Sequence, residues 1–147
     1  MIKELEELES ILTNQLGANV DLKQELKRKE LEMQDLKKEF FISVINVIDS
    51  FETKDENLKE RYAEETVAQR TIKSYSSIKR QLLYLLERHG VTQLEFPENR
   101  LIVGFSTVLE TEPDNTKEND EIISVIKQGY IRGSELIREA ELIVVRN

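Results

Sequence analysis

The stretch KQGYIRGSELIREAELIVV, residues 127–145, decides the fold. Apolar residues alternate on either side of Arg132-Gly133-Ser134, and a glycine beside a small polar residue supplies the positive φ that a tight hairpin turn requires. Alternation sorts the last strand into Leu136, Arg138, Ala140, Leu142 and Val144 on one face and Ile137, Glu139, Glu141, Ile143 and Val145 on the other. Each face carries at least one charge, so neither is expected to be wholly dry. The hairpin follows about ninety residues of charged, leucine-spaced sequence with helical period, so the chain reads as helices first and a small sheet last.

Working outward, counting by sevens from Leu5 gives Leu5, Leu12, Asn19, Leu26, Met33, Phe40 and Val47. Counting from Leu8 gives Leu8, Gln15, Leu22, Lys29, Leu36, Ser43 and Ser50. A helix from residue 2 to about 52 is roughly 75 Å long, and no other part of the chain is long enough to cover its apolar stripe. A second copy is the expected cover, in a coiled-coil homodimer. Asn19 either favours a parallel in-register pair by meeting its own copy or, beside Gly17 and Ala18, marks a frayed stretch. From Phe40 the run FFISVINVIDSF has an apolar face too wide for a two-helix seam.

Residues 52–65 are polar and read as a loop or a frayed helical start. A second helix is predicted from about Thr66 to Arg88, with Val67, Ile72, Tyr75, Ile78, Leu82, Leu85 and Leu86 on or near one face. Gly90 stops it in a Schellman-like ending, Val91 packs back on the last turn, and His89 caps the helix end. Two helices per chain, doubled, make a four-helix bundle. The dimer contacts expected from these patterns are Leu5, Leu8, Leu12, Leu22, Leu26, Met33, Leu36, Phe40, Val47, Ile78, Leu82 and Leu85.

Beyond Gly90 the period falls to 2: VTQLEF and RLIVGFSTVL read as strands punctuated by Pro97, Gly104 and Pro113. Residues 110–121 hold six acids and one lysine, without the spacing or central glycine of an EF-hand, and read as a solvated loop. The fold class is therefore α+β, in three parts: a long coiled-coil-like helix (1–52), a loop and second helix of a dimer bundle (53–90) and a small β domain (91–147).

The charge of −8 and pI near 4.9 argue against binding nucleic acid or an anionic membrane surface. With no cysteine and one histidine, disulfides, thiolate metal sites and most triads are excluded, so no catalytic or metal-binding residues are assigned and no cofactor is expected. Glu4, Glu6, Glu7 and Glu9 lie on a solvated helix face. There is no glycine-rich phosphate loop with a lysine. No apolar run spans a bilayer and MIKELEELES lacks signal-peptide character, so the expected location is cytoplasmic.

This order of parts resembles the GrpE family, the nucleotide exchange factors of DnaK-type (seventy-kilodalton heat-shock) chaperones. The family's closing signature is matched at Gly129, Tyr130, Ile137, Arg138, Ala140, Leu142 and Val144, while Ser134 stands where an acid or glycine is usual. The earlier half of the family pattern is kept at Phe96. Pro97 and Glu98 take the next two positions, Leu101 replaces the histidine and Val103 the alanine, as in a divergent member. The resemblance implies a homodimeric co-chaperone, not an enzyme, whose β domain binds a chaperone ATPase domain and opens its cleft so that ADP leaves. Phe96, Pro97, Leu101, Val108, Arg132 and Arg138 are the expected contacts. Arg138 has an alternative as a strand arginine paired near Glu139 or with Glu110 to Glu112, and Tyr130 reads as a packing residue. The rival function is a coiled-coil dimeric adaptor binding another protein through the same sheet; a two-carboxylate hydrolase lacks the supporting residues for an enclosed site.

Overall fold

The computed structural model describes residues 1–147. Two helices, α1 (Ile2–Arg61) and α2 (Thr66–Arg88), precede six short strands: β1 (Val91–Gln93), β2 (Ser106–Glu112), β3 (Ile122–Lys127), β4 (Tyr130–Arg132), β5 (Glu135–Arg138) and β6 (Ala140–Val145). The architecture is α+β with a small C-terminal all-β domain. The chain divides into two compact units, 1–39 and 40–147.

In the first unit the apolar heptad residues have no cover within the chain. Leu5, Leu8, Leu12, Leu22, Leu26, Met33 and Leu36 are all more than half exposed. Surface ion pairs such as Arg28 Nη1 with Glu32 Oε1 at 2.8 Å and Lys29 Nζ with Glu32 Oε2 at 3.3 Å support the turns locally.

In the second unit α1 runs on to Arg61, past the end expected near residue 52. The segment ETKDENLKER contains no proline or glycine and is rich in good helix formers, so polarity alone does not end the helix. Its inner side also meets α2, where Lys79 Nζ lies 2.6 Å from Glu52 Oε1 and the Ser76 hydroxyl donates to Asp55 Oδ2 at 3.3 Å. The reversal is confined to Tyr62–Glu65. Helix α2 ends as expected: Gly90, at φ 77°, donates to the Glu87 carbonyl at 2.9 Å, and Val91 is 1 % exposed.

The strands form two three-stranded sheets, β1-β4-β5 and β2-β6-β3. All neighbours are antiparallel except β2 and β6, which run parallel. The first sheet packs on the helices through Phe41, Ile45 and Ile48 of α1, Leu86 of α2, Val91, Tyr130 and Ile137. The spacing of 41, 45 and 48 puts one helix face on the sheet. The second sheet has its own core of Ile122, Ala140, Leu142 and Val144.

Three strand readings are corrected. ELIREAELIVV is not one strand; it breaks at Glu139, and β5 and β6 join different sheets. Ile137 thus faces the helix-side core while Ala140, Leu142 and Val144 face the second, each 0 % exposed, so one face of β6 is wholly dry. In RLIVGFSTVL only residues from Ser106 are strand, because Gly104 at φ 87° turns the chain first, and β2 continues through Glu112 into the acidic stretch.

The rest of that acidic stretch is closed by Asn147. Its side-chain amide donates to the carbonyls of Asp114 and Lys117, both at 3.1 Å, while its Oδ1 accepts from the Asp114 backbone at 2.9 Å.

Candidate functional site

The break between the sheets is closely packed around Gly129. A Cβ built on Gly129 would lie 2.9 Å from the Ala140 backbone nitrogen, 3.1 Å from the Ala140 Cβ and 3.2 Å from the Leu94 Cβ. The φ of Gly129 is not positive, so glycine is required there for close approach and not for conformation. Backbone groups at the break find partners outside the hairpin. Leu94 N–H donates to the Gly129 carbonyl at 2.8 Å, and Ala140 N–H to the Phe105 carbonyl at 3.1 Å. Small residues at 129 and 140 let two further segments dock where the ladder is interrupted.

Arg138 spans this break. Its Nη1 donates to Asp49 Oδ2 at 2.6 Å and its Nη2 to Asp49 Oδ1 at 3.1 Å, while Nε and Nη2 donate to the Gln128 carbonyl at 3.2 and 2.7 Å. The guanidinium lies 5.5 Å from the centre of the Tyr130 ring. Its partner is thus a helix carboxylate eighty-nine positions away, and neither Glu139's neighbours nor Glu110 to Glu112. Arg132, on the same sheet, donates from Nε to the His89 carbonyl at 3.2 Å and lies 5.5 Å from the Phe41 ring centre. Tyr130 is 1 % exposed, and its hydroxyl accepts from Gln93 Nε2 at 3.2 Å. Burial holds its phenol above the ordinary value, against the lowering effect of that hydrogen bond.

The other expected contacts gather on the second sheet. Phe96, Leu101 and Val108 are half-buried against its core. Pro97 is exposed and opens a turn in which Glu98 and Asn99 hold φ of 59° and 57°. The Asn99 side chain supports the turn by donating to the Ile122 carbonyl at 2.9 Å. Between the first sheet and the turn that precedes β2 runs a mostly apolar groove of about 490 Å³ lined by Thr92, Gln93, Leu94, Glu95, Ile102, Phe105 and Ile131. Val103, next along the chain from Ile102, is 87 % exposed. The sequence reading missed Ile102, Phe105 and Ile131 as surface residues. The signal was a bare apolar run, LIVGF, carrying a glycine at which a strand should not continue.

Of the expected dimer contacts in this unit, Phe40, Val47, Ile78 and Leu85 are between 37 and 54 % exposed, and Leu82 is committed in part to the helix-side core.

The family profile described as GrpE matches residues 1–146. The chain belongs to the GrpE family. Protein GrpE of Ehrlichia canis (strain Jake) is 27 % identical over 105 residues, covering 71 % of this chain and 49 % of that protein. Protein GrpE of Prochlorococcus marinus (strain AS9601) is 25 % identical over 144 residues, covering 95 % of this chain and 59 % of that one, and its counterpart in strain MIT 9301 matches equally well. The chain therefore spans about half to three-fifths of the length of these curated relatives. In this GrpE-family chain the closing signature is a packing device: Gly129, Tyr130, Ile137, Ala140, Leu142 and Val144 form or adjoin the two cores, and Arg138 ties the sheet to α1.

Proposed function

We propose that this protein is a homodimeric nucleotide exchange factor that binds the ATPase domain of a DnaK-type chaperone, opens its cleft and accelerates ADP release. The single observation that carries this reading is the GrpE match along 1–146, covering both helices and all six strands. The exposed heptad face of residues 5–36 supports the dimer, since uncovered leucines at that spacing need a second helix. Phe96, Pro97, Leu101, Val108 and Arg132 are proposed as chaperone contacts, with Val103 and the groove rim beside them.

The action is differential binding and needs no catalytic group. Weakening ADP a thousandfold requires the factor to bind the empty, open chaperone about 4 kcal/mol more tightly than the ADP-bound form. A small sheet fastened to helices meets that need better than a free loop, because the contact geometry persists when the partner resists. The proposed place of this exchange is the cytoplasm. No helix of the structure is long and apolar enough to cross a membrane.

The deciding experiment loads a DnaK-type chaperone from the same cell with fluorescent ADP and follows release in excess ATP. Acceleration by this protein is expected, and its absence with every such chaperone refutes the reading in favour of an adaptor. Light scattering at micromolar concentration should give about twice 17.2 kDa; a compact monomer refutes the dimer.

A further inference from the structure

Asp49 belongs to no heptad row, to neither core and to no signature, yet it is the partner that receives Arg138. We propose that Asp49 is a positioning residue for nucleotide exchange: its carboxylate sets, through the Arg138 fork, the angle at which the β domain stands on the helices. The proposal rests on the exchange reading above and assigns to one helix carboxylate the stiffness that reading requires.

The geometry supports it in three ways. The pair is bidentate and sheltered, with side chains 17 % and 23 % exposed, so two parallel bonds fix orientation as well as distance. The same guanidinium also holds the Gln128 carbonyl, just before Gly129, so a single group joins α1, the β3-β4 connection and β5. Finally, this connection is where the two sheets part. A fastening at that point, where β5 ends and the chain crosses to the other sheet, bears on the direction of both sheets relative to the helix. Arg132, bonded to the His89 carbonyl at the end of α2, supplies a second and weaker tie on the same sheet. Without Asp49 the sheet keeps its apolar contacts with Phe41, Ile45 and Ile48 but can rock about them.

Rocking predicts a particular defect. The contact residues remain, so affinity for the chaperone persists, while the preference for its open form falls. In Asp49→Asn and in Arg138→Lys, which keeps the charge and loses the fork, limiting acceleration of ADP release should fall about tenfold. The half-saturating concentration should move less than about threefold. Asp49→Glu, which keeps an ionised acceptor pair, should recover most of the acceleration.

The chain has no cysteine, so spin labels can be introduced at Lys54→Cys on α1 and Thr111→Cys on β2 without background. With labelled chains diluted in unlabelled protein, the distance distribution should be narrow in the parent and broad in Asp49→Asn and Arg138→Lys, at unchanged helix content. Full acceleration by Asp49→Asn, or a loss of acceleration with a parent-width distribution, overturns the proposal. If the parent itself fails to accelerate ADP release, the exchange reading falls instead, and the distance measurement alone decides whether Asp49 holds the sheet: a distribution that stays narrow in Asp49→Asn overturns this too.

Discussion

Replacing Gly129 with alanine adds one carbon and should damage the β domain out of proportion to its size. The new Cβ would meet the Ala140 nitrogen at 2.9 Å, the Ala140 Cβ at 3.1 Å and the Leu94 Cβ at 3.2 Å. The nearest of these is backbone. The Ala140 N–H already donates to Phe105 and the Leu94 N–H to Gly129 itself, so neither segment can withdraw without breaking a buried hydrogen bond. Overpacking of this kind costs about 1–3 kcal/mol, against a gain of about 0.4–1 kcal/mol from the reduced freedom of the unfolded chain. The net is a loss of about 1–2 kcal/mol, or a melting point lower by on the order of 5 °C for a chain of this size. Urea unfolding followed by tyrosine fluorescence measures it, there being no tryptophan. Ala140→Gly added to Gly129→Ala removes the Cβ contact but not the nitrogen, so it should recover only part of the loss. Gly17→Ala is the control: nothing lies within 4 Å and the site is helical, so α1 should gain about 1 kcal/mol. Equal stability of Gly129→Ala and the parent would refute the close-approach account of the signature glycine.

Three further outcomes follow from buried and bonded acids. Tyr130, buried and therefore titrating above 10.0, favours the fold fully below that pH and loses its contribution as pH rises through its folded value; ultraviolet titration of the four tyrosines should show one ionising late, and Tyr130→Phe should abolish that step. Asp114, whose carboxylate accepts from the Thr116 hydroxyl and backbone at 2.6 and 2.9 Å, is held below 3.8, so its support for the loop is present above that pH and fades as pH falls through the lowered value; an Asp114 carboxyl resonance titrating at or above 3.8 would contradict this. Asp55 is 7 % exposed, with Oδ1 unpaired and only the Ser76 hydroxyl on Oδ2, so Asp55→Leu should be neutral or stabilising by about 1 kcal/mol in urea unfolding, and a loss of 2 kcal/mol or more would mean that the carboxylate has a partner of consequence.

The sequence exposed most of what depends on local pattern. The heptads of α1, the glycine stop at Gly90 and the turn at Gly133 are each specified by residues close to one another, and all are present. What depended on distant partners was hidden. Glu139 breaks the last strand because Gly129 and Ala140 must approach while Leu94 and Phe105 take their hydrogen bonds, and no alternation within 135–145 encodes that. Polarity over 52–65 suggested a loop or a frayed helical start because Ser76 and Lys79, the neighbours that sustain the helix as far as Arg61, are more than twenty positions on from Asp55 and Glu52. Arg138 was visible as a signature residue, whereas Asp49 was one acid among many on a charged helix. Its role is set by register against a strand that does not yet exist when the helix is read.

Strand β6 lies between β2 and β3 although it is the last of the six in chain order. On a ribosome, the heptads of 5–47 emerge before the sheet and, in the proposed homodimer, can find a second nascent or finished copy early. The second sheet has no central member until residue 145 is made, so β2 and β3 must wait as unpaired edges. Assembly of the pair can therefore precede completion of the surface it carries. A chain truncated by a few residues would then join full-length copies of the proposed dimer through its helices while offering no finished sheet, a dominant way to lose the proposed exchange activity that no change in the helices would reveal.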